Sequence, residues 1–408
     1  MHTARSVRAI THIHTCYSNG EASELDAAIS GTVRRLFGAA TPAEPWRECF
    51  TTVEQLVALL RLPEAEGGCG VVVITDHMNG RSHRLPDALL CAAAAEPGLA
   101  LGTELYTVDF DVDGTLRTAP EVLLYGTAEP VKGPHGGYYG ISQALLDELY
   151  ATCRAPGSDE LWTSKVLDFC ADRRLAYALA HPFDGHELSL AAMVEIISRA
   201  RFVETVNGGF PSESTHFLRA LVSLHNLAVG GAKLRAAAAA RWPLGAALVQ
   251  RIQEEHRDLV HPWGGSDAHS HAFARVTVRF RCKSERPNAG DLFAAMLRGS
   301  VAEILAARTF TIEGEPGTSL SVLDDVVRIV ARNLKRSGTL LLKHPHLVAP
   351  VLWHAQREVR WQLGSRARRR EEMLRELAQA FPVDALVESM QPGAALVRLA
   401  PQVAHEAA

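Results

Sequence analysis

Short apolar runs punctuate most of the chain: "VRAITHIH", "GVVVITDH", "LALGTEL", "EVLLYG", "LAYALAHP", "RFVETVNG" and "HPWGGSDAH". Each has the length of a strand rather than of a helix. Between most of them lie segments with apolar residues at helical spacing. "TTVEQLVALLR" opens on Thr51-x-x-Glu54, the spacing of a capping box, and predicts a helix over Thr51 to Arg61. "ISQALLDELYATC", "ELWTSKVLDFCADR" and "LAAMVEIISRA" predict three more. Strands alternating with helices predict a mostly parallel sheet with helices outside it.

Two regions break the rhythm. Residues 21–50 separate the first run from the capped helix; "ELDAAISGTVRRLFGAA" reads as an inserted helix and "TPAEPWRECF" as a loop. Near Glu315-Pro316-Gly317 the alternation stops. The expected organisation is a barrel domain over 1–317, with the insertion at about 21–50, and a helical region over 318–408. In "SRARRREEMLRELAQAF", Leu374, Leu377 and Phe381 form one apolar stripe behind an arginine-rich start. Such a stripe packs on the barrel or on a second subunit, which makes a homo-oligomer through these helices one expectation. Anionic lipid or nucleic acid is the alternative partner for the arginines.

Composition narrows the class. The 408 residues are 47% hydrophobic and 22% charged, ordinary for a soluble globular protein. A net charge of -4 gives no electrostatic footprint for a polynucleotide, and leaves a small phosphorylated substrate open. The seven cysteines contain no C-x-x-C pair and read as free thiols of a reducing, cytoplasmic compartment. "MHTARSVRAITHIH" has no apolar segment of secretory type, and no apolar run is long enough to predict a membrane span.

The chemistry sits at the ends of the apolar runs. In a strand, residues i and i+2 share a face, so His12 and His14 project together. Neutral imidazole is a good ligand for zinc, iron or manganese. "VVVITDH" ends in Asp76 and His77; a carboxylate there needs a partner, and Asp76 is placed to orient an imidazole. "LALGTEL" ends in Glu104, "LAYALAHP" in His181, and "WGGSDAH" in Asp267 and His269. In a (β/α) barrel, side chains at the C-terminal strand ends converge on one mouth. Five runs ending in His, Asp or Glu therefore predict one multinuclear metal cluster.

Taken in order, "HIHTCYSNG", "ITDH", "GTE", "AHP" and "GGSDAH" resemble the polymerase-and-histidinol-phosphatase (PHP) domain, from about Val7 to about Phe310. The resemblance implies a distorted seven-stranded (β/α) barrel and phosphoester hydrolysis with two or three divalent ions, manganese, zinc or iron. It implies that His12, His14, Glu104 and Asp267 hold the first ion. Glu104 would bridge to a second held also by His181, and His77 and His269 would serve a third. Two positions depart from the family. Asn19 stands in Ser18-Asn19-Gly20, where the family carries an aspartate, and its neutral carbonyl weakens the third position. Glu121, in "PEVLLYG", stands where a histidine is common, and still offers an oxygen ligand to the second ion.

Metal-assisted phosphoester hydrolysis is the function this points to. Asp76, His271 and a metal-bound water are the candidate proton donors to a leaving group. Arg81, Arg84 and Arg275 follow the "TDH" and "SDAH" runs and are candidates for holding phosphate. A non-catalytic, regulatory metal-binding module and an amidohydrolase-type C–N hydrolase are the alternatives; many amidohydrolases need a strand-end lysine, and none of these runs ends in one. "VDFDVDGTL" carries the Asp111-x-Asp113-Gly-Thr pattern of haloacid-dehalogenase-like phosphatases, but it leads straight into another strand. Asp113-Gly114 reads instead as a hairpin turn. The run also mimics the start of an EF-hand, whose twelfth position would be Pro120, not a glutamate.

Overall fold

The computed structural model describes residues 4–15, 17–18, 51–78, 84–183, 187–208, 244–253, 260–268 and 276–314, with Glu372 and Glu376. The expected insertion helix lies outside the described residues. So does the tail with its oligomer contact, apart from Glu372 and Glu376, which are helical.

Twelve strands are described: β1 (Arg5–Ile13), β2 (Val71–Ile74), β3 (Leu99–Leu101), β4 (Thr103–Phe110), β5 (Leu116–Gly133), β6 (Gly136–Gly140), β7 (Leu161–Trp162), β8 (Ala176–Leu179), β9 (Phe202–Asn207), β10 (His261–Gly265), β11 (Thr277–Cys282) and β12 (Phe310–Glu313). Parallel pairs join β1 to β2 and β2 to β3. β4 follows β3 after Gly102 and turns back into β5, which pairs antiparallel with both β4 and β8. β8, β9 and β10 then run parallel. Beyond β10, Ala268 bridges to Ile13 of β1, and the His14 amide donates to the Ala268 carbonyl at 3.0 Å. The fold is mixed α/β, with a nearly closed, barrel-like sheet. β11 and β12, which the sequence reading did not foresee, extend it antiparallel from the N-terminal half of β1.

The sheet is less parallel than the alternation predicts, because β4 and β5, and β5 and β6, are joined without a helix. Residues 108–116 are a hairpin, as Asp113-Gly114 indicates. Gly114 takes φ +75°, its amide donates to the Asp111 carbonyl, and Asp111 donates back to Thr115. Without a crossover a strand can only return antiparallel. The aspartates of this run serve the turn and its neighbours. Asp111 accepts from the amide and hydroxyl of Ser189 and pairs with Arg117, and Asp113 pairs with the same arginine.

The helices form as the apolar spacing predicts, over Val53–Arg61, Gln143–Thr152, Thr163–Asp172 and Leu190–Arg199. The first capping box is one residue later than expected: Thr52 caps, with Gln55 reciprocating, and Thr51 is buried. Leu56, Leu89, Leu146 and Met193 of the helical layer pack on the outer strand face, which presents Ile10, Val72, Ile74, Leu124, Leu179 and Val203. The inner face carries Ala9, Val73, Ala100, Leu123, Tyr125, Phe202 and Trp263, and the helix Ala289–Leu297 adds Leu292, Phe293 and Met296. Trp263 Nε1 donates to the Tyr125 hydroxyl at 3.0 Å, so both buried polar tips are satisfied.

His261 is buried at the start of β10, ring against Phe202 and Phe310. Burial, then the nearby Arg201 charge, hold its pKa down at about 4, against an ordinary 6.5. Between these values the unfolded chain binds the proton and the folded chain does not, so stability is complete above about pH 6.5 and falls as pH drops towards 4. The full effect is about 3 kcal/mol. His261→Phe is expected to flatten this part of a plot of melting temperature against pH; an acid limb unchanged from wild type would show that His261 does not set it.

Candidate metal centre

Strict alternation along β1 would turn His12 outwards, because Val7 and Ala9 belong to the inner cluster. A β-bulge reverses this. Ile10 pairs with Val72 and Ile13 with Ile74, three steps on β1 against two on β2. Ile13 thereby joins Ile10 on the outer side, and His12 and His14 face the interior. Bulges of this kind re-aim side chains beside functional sites.

The imidazoles meet Glu104, which enters from β4. His12 Nε2 and His14 Nε2 each lie 3.1 Å from Glu104 Oε2, and 3.2 Å from one another. Asp267 Oδ1, beyond the end of β10, is 3.5 Å from His12 Nε2 and 3.3 Å from His14 Nε2. The other oxygen of Glu104, Oε1, lies 2.8 Å from His181 Nε2, which is 3.1 Å from Glu121 Oε2. Glu121 reaches the mouth because β5 runs antiparallel, which brings its early residues to the end where the parallel strands finish. All these side chains are buried. Two groups result, sharing Glu104: His12, His14, Glu104 and Asp267; and Glu104, Glu121 and His181.

His77 joins the rim of the first group, with Nε2 3.3 Å from Glu104 Oε2 and its ring stacked between His14 and Tyr106. Asp76, the residue before it, is bonded to neighbouring segments. Its carboxylate accepts from the amide and hydroxyl of Thr15, and its carbonyl from Thr103. It fastens the segment after β1 to the end of β2. His181 and Asp267 take φ +20° and +45°, unusual for residues with a side chain, and both are ligand-group members at strand ends. Arg84 is described and exposed. Asn19, Arg81, His269, His271 and Arg275 lie outside the described residues.

The electrostatics suit a cation. Four carboxylates, Glu104, Glu121, Glu204 and Asp267, are buried together, and imidazoles and amides are among their partners. Burial would lower the His12 pKa, but Glu104, Glu204 and Asp267 hold it up at about 10. His181 is raised for the same reason, by Glu104 and Glu121 against burial. Burial pushes the Glu121 carboxyl up to about 7, and the Glu104 charge adds to it. Against the same burial, neighbouring imidazoles hold Glu104 and Asp267 well below the usual carboxylate range. The cluster thus draws protons onto its histidines, where positive charge is needed.

The spacing suits one too. A tetrahedral ion with ligand bonds of ~2.0–2.1 Å sets its ligand atoms about 3.3 Å apart. The distances within the first group, 3.1 to 3.5 Å, match that edge length. Nitrogen and oxygen donors in this mixture fit zinc, iron or manganese.

Sequence reading missed Glu204, which lies in the middle of "RFVETVNG" rather than at its end. Its Oε1 accepts from His12 Nδ1 at 2.9 Å, and its Oε2 from the His181 amide and from Asn207 Nδ2. The signal was present: an acidic residue inside an otherwise apolar strand needs a buried partner. Tyr106, two positions after Glu104 and so on the same strand face, was also missed.

No protein-family model matches the chain, and no curated protein does. Among solved structures, the chain is similar to one described as a "putative metal-dependent phosphoesterase" from Bifidobacterium adolescentis. The identity is 16% and the TM-score 0.30, over 64% of this chain and 87% of that one. Among the described residues no helix is long and apolar enough to cross a membrane. On this chain's own geometry, the barrel mouth holds two buried His, Glu and Asp groups that could bind metal ions.

Proposed function

We propose that this chain is a metal-dependent phosphoesterase of the PHP type, with its ions at the two ligand groups of the barrel mouth. The observation that carries the reading is Glu104, whose two oxygens face two different sets of ligands. When bound, divalent ions would acidify a water nucleophile and neutralise phosphoryl oxygens.

The chain's own residues supply the rest. His12, His14 and Asp267 complete the first group, and His181 and Glu121 the second. His77 stands at the rim, where a third position would need His269 and the weaker Asn19. The near-closed barrel is then the distorted (β/α) barrel of that family, and residues 1–317 its domain. Asp76 and His271 are the proposed proton donors to the leaving group, and Arg81, Arg84 and Arg275 the proposed phosphate-binding residues. The substrate is a small phosphomonoester or phosphodiester.

The test is turnover of a phosphoester panel, mono- and diesters of nucleosides, sugars and nitrophenol, by protein loaded with manganese, zinc or iron. Turnover is expected with at least one of these metals and is expected to vanish with chelator. Protein that binds metal but turns over no member of the panel would favour a regulatory module. Turnover that survives complete metal removal would overturn the metal-dependent reading.

A further inference from the structure

Glu204 belongs to neither ligand group, yet both of its oxygens are bonded within the centre. It is fully buried on β9. A carboxylate so placed is costly unless its oxygens are satisfied. Here they are satisfied by donors from two sides of the centre. Oε1 takes the His12 Nδ1 proton at 2.9 Å; Oε2 takes the His181 amide at 2.9 Å and Asn207 Nδ2 at 3.0 Å.

We propose that Glu204 is a positioning residue that ties the two ligand groups together, by setting the tautomer of His12 and the backbone of His181. The inference rests on the metal-centre reading above.

Once the extra proton that the cluster draws onto His12 has left, a carboxylate at Nδ1 fixes the imidazole with its remaining proton on that nitrogen. The lone pair is then on Nε2, the atom that faces His14, Glu104 and Asp267. Such a partner also raises the basicity of the ligand. The second oxygen acts on the main chain. His181 sits at φ +20°, a conformation that costs on the order of 1–3 kcal/mol and persists only where its surroundings enforce it. The bond from its amide to Glu204 is one such constraint. It also points the His181 ring at Glu104 and Glu121. Asn207, three residues further along β9, steadies the same oxygen. Gly265 completes the device by having no side chain: a Cβ there would lie 1.7 Å from Glu204 Oε1.

Glutamine is the discriminating replacement, because it keeps the shape. Its amide has one oxygen and one NH2. Whichever way it turns, the NH2 meets a donor: His12 Nδ1–H on one side, or the His181 and Asn207 N–H groups on the other. The experiment is zinc titration by calorimetry on chelator-stripped wild type, Glu204→Gln and Asn207→Ala. Histidine two-bond ¹H–¹⁵N spectra of the same samples, before and after zinc, read the protonation and hydrogen bonding of His12 Nδ1.

Glu204→Gln is expected to fold, to bind zinc about 10–100-fold more weakly at both positions, and to shift the His12 Nδ1 signal away from its carboxylate-bonded value. Asn207→Ala, which keeps the carboxylate, is expected to weaken binding by only a few-fold, mainly at the position held by His181. It decides the matter if Glu204→Gln does not fold: unchanged affinity there overturns the proposal. Wild-type affinity and an unchanged His12 spectrum in folded Glu204→Gln overturn it while leaving the metal centre standing. Wild-type protein that binds no zinc overturns both.

Discussion

Glu104→Gln is expected to empty both ligand groups at once. Glu104 gives Oε2 to His12, His14 and Asp267 and Oε1 to His181 and Glu121, so it is the one side chain common to both. The amide that replaces it has a neutral oxygen and an NH2 that cannot coordinate. A metal-dependent activity is therefore expected to fall at least ~1,000-fold, a loss of about 4 kcal/mol of transition-state stabilisation. Metal content is expected to fall to near zero while the far-ultraviolet circular dichroism keeps its wild-type form. Glu121→Gln supplies the contrast: Glu121 touches only the second group, so this variant is expected to keep the first ion and lose the second. Equal metal content in wild type and Glu104→Gln would show that the shared carboxylate is not a bridge.

Gly265→Ala is expected to weaken the fold and the metal centre together. The new Cβ would lie 1.7 Å from Glu204 Oε1 and 2.8 Å from His12 Cβ, and neither lies at the far end of a flexible, solvent-exposed chain. Overpacking a filled interior costs about 1–3 kcal/mol. Here it also drives Glu204 off His12, so zinc affinity is expected to fall along with melting temperature. Glu204→Asp in the same chain shortens the obstructing side chain. The double variant is expected to recover stability without recovering affinity, because the shorter carboxylate does not reach His12. Gly265→Ala with wild-type affinity and melting temperature would mean that the packing around Glu204 is looser than the structure shows.

How far the sequence revealed this site varies by residue, for physical reasons. His12, His14, His77, His181 and Asp267 were legible, because a polar residue closing an apolar run is a local pattern. Their convergence followed from barrel geometry. The direction of His12 and His14 was not legible: it depends on the bulge between Ile10 and Ile13, set by pairing with β2 some sixty residues away. Glu121 was legible only through the family resemblance, since the antiparallel course of β5 places it and the alternation predicted a mostly parallel sheet. The hairpin signal at Asp113-Gly114 already contradicted that prediction locally. Glu204 escaped because its function is written in its partners, His12, His181 and Gly265, which are distant along the chain. β11 and β12 end in no candidate ligand, so they stand outside the pattern that marks the other runs. Yet "TVRFRC" alternates Val278, Phe280 and Cys282, all buried, with Arg279 and Arg281, and that is an ordinary one-sided strand.

The central claim is that the buried carboxylates and imidazoles of the barrel mouth exist to hold metal ions. Elemental analysis of protein purified without chelator tests it most directly. The expected result is at least one bound transition-metal ion per chain, rising to two when the stripped protein is titrated with manganese or zinc. Protein that is metal-free as purified, and takes up neither ion on titration, would contradict the account.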